Sequence, residues 1–133
     1  LTLAEVVSIH RDQISRYGGA SGIRDIKGLL SALAMPAMGG EGQYYHHGLV
    51  DMASAYLFHM IQNHPFVDGN KRVGVVAALV FLSMNEVEVD IPEEVLEDLA
   101  MAVAQGNATK REVAVELRQY ARLTTERPRN DRQ

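Results

Sequence analysis

Cysteine is missing from all 133 residues, which excludes disulfides, thiolate nucleophiles and zinc–thiolate sites and fits a reducing compartment. Tryptophan is missing too, but 47% of the residues are apolar, enough to build one core for a single globular domain. No apolar run reaches membrane-spanning length and no charged-then-apolar leader opens the chain, so a cytoplasmic protein without a membrane partner is expected. The first residue is Leu1 rather than Met, so a trimmed natural N-terminus is expected. Excess positive charge is also lacking. A net charge of -4 argues against direct nucleic-acid binding, which relies on surplus Lys and Arg. No internal repeat or low-complexity segment stands out.

What charge there is falls unevenly. Glu86 to Asp98 holds seven acidic residues and no basic one, while Arg118 to Gln133 holds five Arg against Glu126 and Asp131. The first stretch reads as a solvated loop and helix start, the second as a soluble basic tail.

Chemistry concentrates in one stretch of nine residues: His64, Pro65, Phe66, Val67, Asp68, Gly69, Asn70, Lys71 and Arg72. Pro65 lacks an N–H and disfavours the helical conformation for His64, so a helix through Ala53 to Gln62 must stop there. Gly69 permits a tight turn, and from Asn70 the spacing of Val73, Val76, Ala77, Val80, Phe81 and Met84 is helical again. Lys71 and Arg72 then lie in a first turn, where the helix dipole disfavours a cation by ~0.3–1 kcal/mol. Their presence there makes sense if an anion binds at the free N–H groups of the helix start. Arg72 adds fork-shaped phosphate recognition, Asp68 can hold a hard cation such as Mg2+ against the same oligophosphate, and a nucleotide phosphate chain fits the set. His64 is the candidate general base, and Phe66 anchors the turn in the core. A helix–loop–helix with a packed histidine and solvated charges would leave the Lys–Arg pair at a helix start without a reason.

The rest of the chain reads as helices around this turn. Thr2 to Glu5 has capping-box spacing, and a first helix carrying Val6, Ile9, Gln13 and Ile14 runs to about Tyr17, stopped by Gly18 and Gly19. His10 within it reads as a packed or half-exposed side chain rather than a ligand, since no second His stands at a metal-binding spacing. Arg24 and Asp25 open a second helix through Ala34, with Leu29, Leu30 and Leu33 on its apolar side and Pro36 ending it. Ala37 to His47 is Gly-rich with Tyr44, Tyr45, His46 and His47; a surface loop with its aromatics folded back is one reading. The two adjacent His would point opposite ways in a strand, a poor metal site. A third helix spans Gly48 to Asn63, and its His59 lies five residues from His64, too far round for a zinc pair. The fourth runs from about Asn70 to Met84 and is apolar on nearly every side, as a central helix should be. Glu86 to Ile91 is briefly extended. Pro92 suits the first turn of a fifth helix ending near Gly106, and Thr109 to Glu112 caps a sixth through about Arg122. The domain is expected to span 1–123, and 124–133 to be a disordered basic tail.

The stretch from His64 to Arg72 resembles the signature of the Fic/Doc superfamily: His, any, Phe, any, Asp or Glu, Ala or Gly, Asn, Gly or Lys, Arg. Every position matches, and the likeness extends from about Gly22 to Leu117. Lys71 separates the branches. AMP-transferring Fic enzymes usually carry Gly there, followed by a further Gly and Arg, whereas Asn70-Lys71-Arg72 is similar to the Doc, or death-on-curing, toxins.

The resemblance implies an all-α, six-helix domain with a short flap before the central helices. It further implies transfer of the terminal phosphate of Mg2+-bound ATP to a hydroxyl of a target protein, which in Doc is translation elongation factor Tu. His64 and Asp68 would be catalytic, Asp68 the metal ligand, and Gly69, Asn70, Lys71 and Arg72 would hold the nucleotide. Asp68 would also help orient His64. The target would dock at the 37–47 flap by backbone pairing. The Ser- or Thr-led inhibitory pattern of autoinhibited Fic enzymes is not found, so restraint would come in trans from a Phd-type antitoxin, with Met35 and Met38 as candidate surface residues. AMP transfer to a protein hydroxyl is the rival chemistry, and a non-catalytic regulatory binding domain is the rival class.

Overall fold

The computed structural model describes residues 1–38 and 46–124. The element order is α1 (Leu3–Tyr17), α2 (Ile26–Ala34), a 3₁₀ turn (Met35–Met38), α3 (His46–Asn63), α4 (Asn70–Met84), β1 (Val87–Val89), α5 (Glu93–Ala104), α6 (Lys110–Tyr120) and β2 (Ala121–Leu123). Among the described residues, six helices and one two-stranded sheet make it a mainly all-α domain. Among the described residues no helix is long and apolar enough to cross a membrane.

Local chemistry sets most boundaries. Thr2 Oγ accepts the Glu5 N–H and the Glu5 carboxylate accepts the Thr2 N–H, closing the capping box of α1; Thr109 and Glu112 repeat it at α6. α1 stops at Gly18 in positive φ. The Asp25 side chain accepts the Gly28 N–H at 3.0 Å and is the N-cap of α2 rather than a residue inside it, because that acceptor is worth more outside the first turn. Arg24 is likewise outside the helix. The inward stripe of α2 is Leu29, Ala32 and Leu33, while Leu30 is 50% exposed and is no core residue.

α3 begins two residues earlier than expected, so His46 and His47 are helical and the strand geometry assumed for them does not apply. Of the flap expected over 37–47, residues 37–38 end the 3₁₀ turn, 46–47 open α3, and 39–45 lie outside the described residues. α3 and α4 lie against each other at Gly74, where a Cβ would come within 3.1 Å of Leu57 O and of Ile61 Cγ1. α4 has the span its spacing predicts.

The C-terminal end departs from expectation. α6 stops at Tyr120, and Ala121–Leu123 turns extended to pair antiparallel with β1, in the register Val87 with Leu123 and Val89 with Ala121. Backbone ladder bonds to β1 replace the last turn of helix, and Thr124 N–H continues the pairing to Glu86 O at 2.9 Å. Of the tail expected at 124–133, residues 125–133 lie outside the described residues.

The main core lies between α3, α4, α5 and α6, around Val50, Leu57, Leu82, Val103, Val113 and Leu117. A second cluster, Val6, Leu29, Ala32, Met60, Phe66 and Val73, joins α1 and α2 to α3 and α4 directly beneath the 64–69 loop. That cluster positions the site.

Candidate active site

The loop between α3 and α4 is held from every side. Phe66 is completely buried, and the ring of His10, itself buried in α1, stacks on it. His10 Nε2–H donates to Asp68 O at 2.9 Å. Asn70 closes the loop on itself: its Oδ1 accepts the Phe66 N–H at 2.9 Å and its Nδ2 donates to Phe66 O at 3.0 Å. The segment before α2 lies alongside and pairs with the loop. Val67 N–H donates to Gly22 O, Arg24 N–H and Asp25 N–H both donate to Pro65 O, and Ile23 bridges Phe66. Gly69, at φ +79, turns the chain into α4.

This framework opens a cleft of about 200 Å³ lined by Ile61, His64, Asp68, Gly69, Asn70, Lys71, Arg72 and Ala104. All six residues singled out in the sequence therefore border one space. Three of their contacts are not ones the spacing suggests. The Asn70 side chain is only 5% exposed and bonds the Phe66 backbone, so it holds the loop. The Gly69 N–H donates to Asp68 Oδ1 at 2.8 Å, which leaves the first-turn N–H groups of Asn70, Lys71 and Arg72 as donors without an intrahelical acceptor. Asp68 makes no hydrogen bond to His64 among the described residues; its other oxygen accepts the Ala20 N–H at 3.2 Å.

These contacts keep Asp68 ionised. The Ala20 N–H and then the Gly69 N–H hold its carboxyl below the usual carboxylate range, and the charges of Arg72 and Lys71 act in the same sense. An exposed, ionised carboxylate is a hard oxygen donor of the kind Mg2+ takes. Among the described residues no group of three or more acidic, His or Cys side chains forms a metal cage.

Arg72 faces the C-terminal end of α1. Its guanidinium donates to Gly18 O at 3.2 Å and Gln13 O at 3.4 Å and lies 5.6 Å over the Tyr17 ring, a favourable place for a cation at a helix C-terminus. Two of its five N–H donors are used, and the rest remain for an anion. Lys71 is exposed, with no ion pair among the described residues. Lys71 and Arg72 also border a second, larger groove of about 460 Å³, walled by Val75, Val76, Leu96, Ala100 and Met101.

Two residues of the site read in the sequence only as helix boundaries. Gly19, at φ +113, lies so close to Asp68 that a Cβ there would come within 2.6 Å of Oδ2. Arg24, which the spacing placed inside α2, instead donates from Nε to His64 O at 2.7 Å and from Nη2 to Asn63 O at 3.1 Å.

A family model described as the Fic/DOC family matches residues 1–82, which include the whole loop and the first turns of α4. The chain is 35% identical over 115 residues to a protein named Protein kinase doc from Escherichia phage P1, covering 86% of this chain and 89% of that one. It is 36% identical over 107 residues to one named Toxin Doc from Mycolicibacterium smegmatis, covering 79% and 82%.

Proposed function

Because the chain belongs to the Fic/DOC family, we propose that it is a toxin of the Doc kind that transfers the terminal phosphoryl group of Mg2+-bound ATP to a hydroxyl of a target protein. The observation that supports this reading is one cleft lined by His64, Asp68, Lys71 and Arg72. Lys71 supports phosphoryl over AMP transfer, since it fills the position where a glycine-lined phosphate nest would need Gly. The name of one relative, Protein kinase doc, agrees with that preference, and the name of the other, Toxin Doc, with the toxin reading.

In the proposed reaction His64, exposed at the rim, takes the proton as the target hydroxyl oxygen bonds to the γ-phosphorus. The bond from that phosphorus to the β–γ bridging oxygen breaks, and ADP leaves. Lys71, Arg72 and the free N–H groups of the first turn of α4 stabilise the charge spread over the phosphoryl oxygens. Asp68 would hold the metal, which would supply positive charge against the charge developing on the phosphoryl group. Elongation factor Tu is the candidate target, and a Phd-type antitoxin acting in trans the candidate restraint.

The test is to incubate the protein and its His64→Ala variant with bacterial lysate and Mg2+-ATP labelled at either the γ- or the α-phosphate. Protein label from the γ-position only, lost in His64→Ala, is the expected result. Label from the α-position would replace the reading with AMP transfer. No label from either, with an unchanged effect of His64→Ala on expressing cells, would point to a regulatory binding domain.

A further inference from the structure

His64 has φ +48, in the left-handed region that few residues with a Cβ occupy. It directly follows α3, whose last carbonyls have no intrahelical donor. The Arg24 guanidinium supplies both needs. Two of its N–H donors reach Asn63 O and His64 O, the carbonyls of the peptide planes on either side of the His64 Cα. One rigid planar group bonded to two consecutive peptide planes sets φ and ψ of the residue between them, and so the direction of its Cα–Cβ bond. Pro65 O, the next carbonyl, accepts the N–H groups of Arg24 and Asp25, so three successive carbonyls are referenced to the start of α2. Asn63 Nδ2 adds a bond to Gly28 O on α2 itself. The cation also lies at the negative end of the α3 dipole.

From this geometry we infer that Arg24 is a positioning residue for His64: it clamps the backbone that aims the imidazole at the cleft, without itself lining that cleft. The inference rests on the assignment of His64 as the base. It separates two properties that a general loss of structure would change together. Nucleotide affinity depends on Lys71, Arg72 and the α4 start, which Arg24 does not touch. The rate of proton removal depends on where His64 points.

The test uses the full chain carrying Arg24→Gln or Arg24→Lys. Three readings are taken: the rate of γ-phosphate transfer to lysate protein, the ATP dissociation constant by calorimetry, and the ring resonances of His64 and His10 by NMR. Arg24→Gln is expected to slow transfer at least tenfold, to leave ATP affinity within twofold, and to shift the His64 signals but not those of His10. Arg24→Lys is expected to recover part of the rate, because an ammonium reaches one carbonyl but cannot fork across two, and it carries the test if Arg24→Gln does not fold. A wild-type rate or unmoved His64 signals in Arg24→Gln would overturn the inference, as would a loss of rate matched by an equal loss of ATP affinity. Absence of transfer by the unmodified protein would sink the phosphotransfer reading instead, and the His64 resonances would still judge Arg24.

Discussion

The ring of His10 stacks on the ring of Phe66 with centroids 3.9 Å apart and planes 7° from parallel, although the two residues come from α1 and from the loop after α3. A carbonyl oxygen can only accept, so the bond from His10 to Asp68 O places a proton on Nε2. α1 thus grips the loop by a flat apolar face and by one directed bond, and Asp68 inherits its position from both.

Removing that grip should cost stability. His10→Ala leaves a void beside Phe66 and an unpaired Asp68 O, and about 2–4 kcal/mol of unfolding free energy is expected to be lost, measured by urea denaturation. His10→Phe keeps the stack and loses only the bond, so its loss should be the smaller. Equal losses in the two variants would mean that the stack contributes nothing.

Asn70 separates a structural amide from a phosphate ligand. Asn70→Ala leaves the buried N–H and C=O of Phe66 unpaired, a cost of about 1–3 kcal/mol for each such group. Thermal unfolding should show a drop of several degrees, while ATP affinity measured well below the new midpoint stays within threefold. A large loss of affinity in a variant that keeps its melting temperature would restore Asn70 to the phosphate-binding set.

Gly19→Ala attacks the site from the opposite wall. The new methyl would need the backbone at φ +113 and would come within 2.6 Å of Asp68 Oδ2, so either the carboxylate or the 19–20 backbone must move. The expected result is several-fold weaker binding of ATP in the presence of Mg2+, with little change in its absence. Gly18→Ala is the control: it meets no atom within 4 Å at its own positive φ, and it should cost stability without that metal dependence.

The ionisation of Asp68 makes a prediction about acid. Its carboxyl is held low by the N–H donors of Ala20 and Gly69, so its folded value lies below its unfolded one, about 3.9. Its contribution to stability is therefore present above that unfolded value and is lost as the pH falls through the folded one. The stability gap between the protein and Asp68→Asn should be constant from pH 5 to 8 and close only below about pH 4. A gap that changes near neutrality would assign the titration to another group.

Much of this protein is written in short-range chemistry. The Thr2–Glu5 and Thr109–Glu112 boxes, the missing N–H of Pro65, the positive φ of Gly69 and the spacing from Val73 to Met84 act within a turn or two of helix. The helices, the span of α4 and the gathering of His64 to Arg72 in one turn between two helices therefore follow from the sequence by itself. What only the tertiary structure decided joins residues far apart in the chain: Arg24 to His64 across 40 positions, His10 to Asp68 across 58, Ala20 to Asp68 across 48. β2 is of the same kind, since Ala121–Leu123 leaves the helix only because β1 offers a backbone ladder. Asn70 marks the boundary between the two. Its place at the start of α4 is local, but its side chain turns inward to pair with the buried N–H and C=O of Phe66, which α1 and α2 fasten beneath the loop.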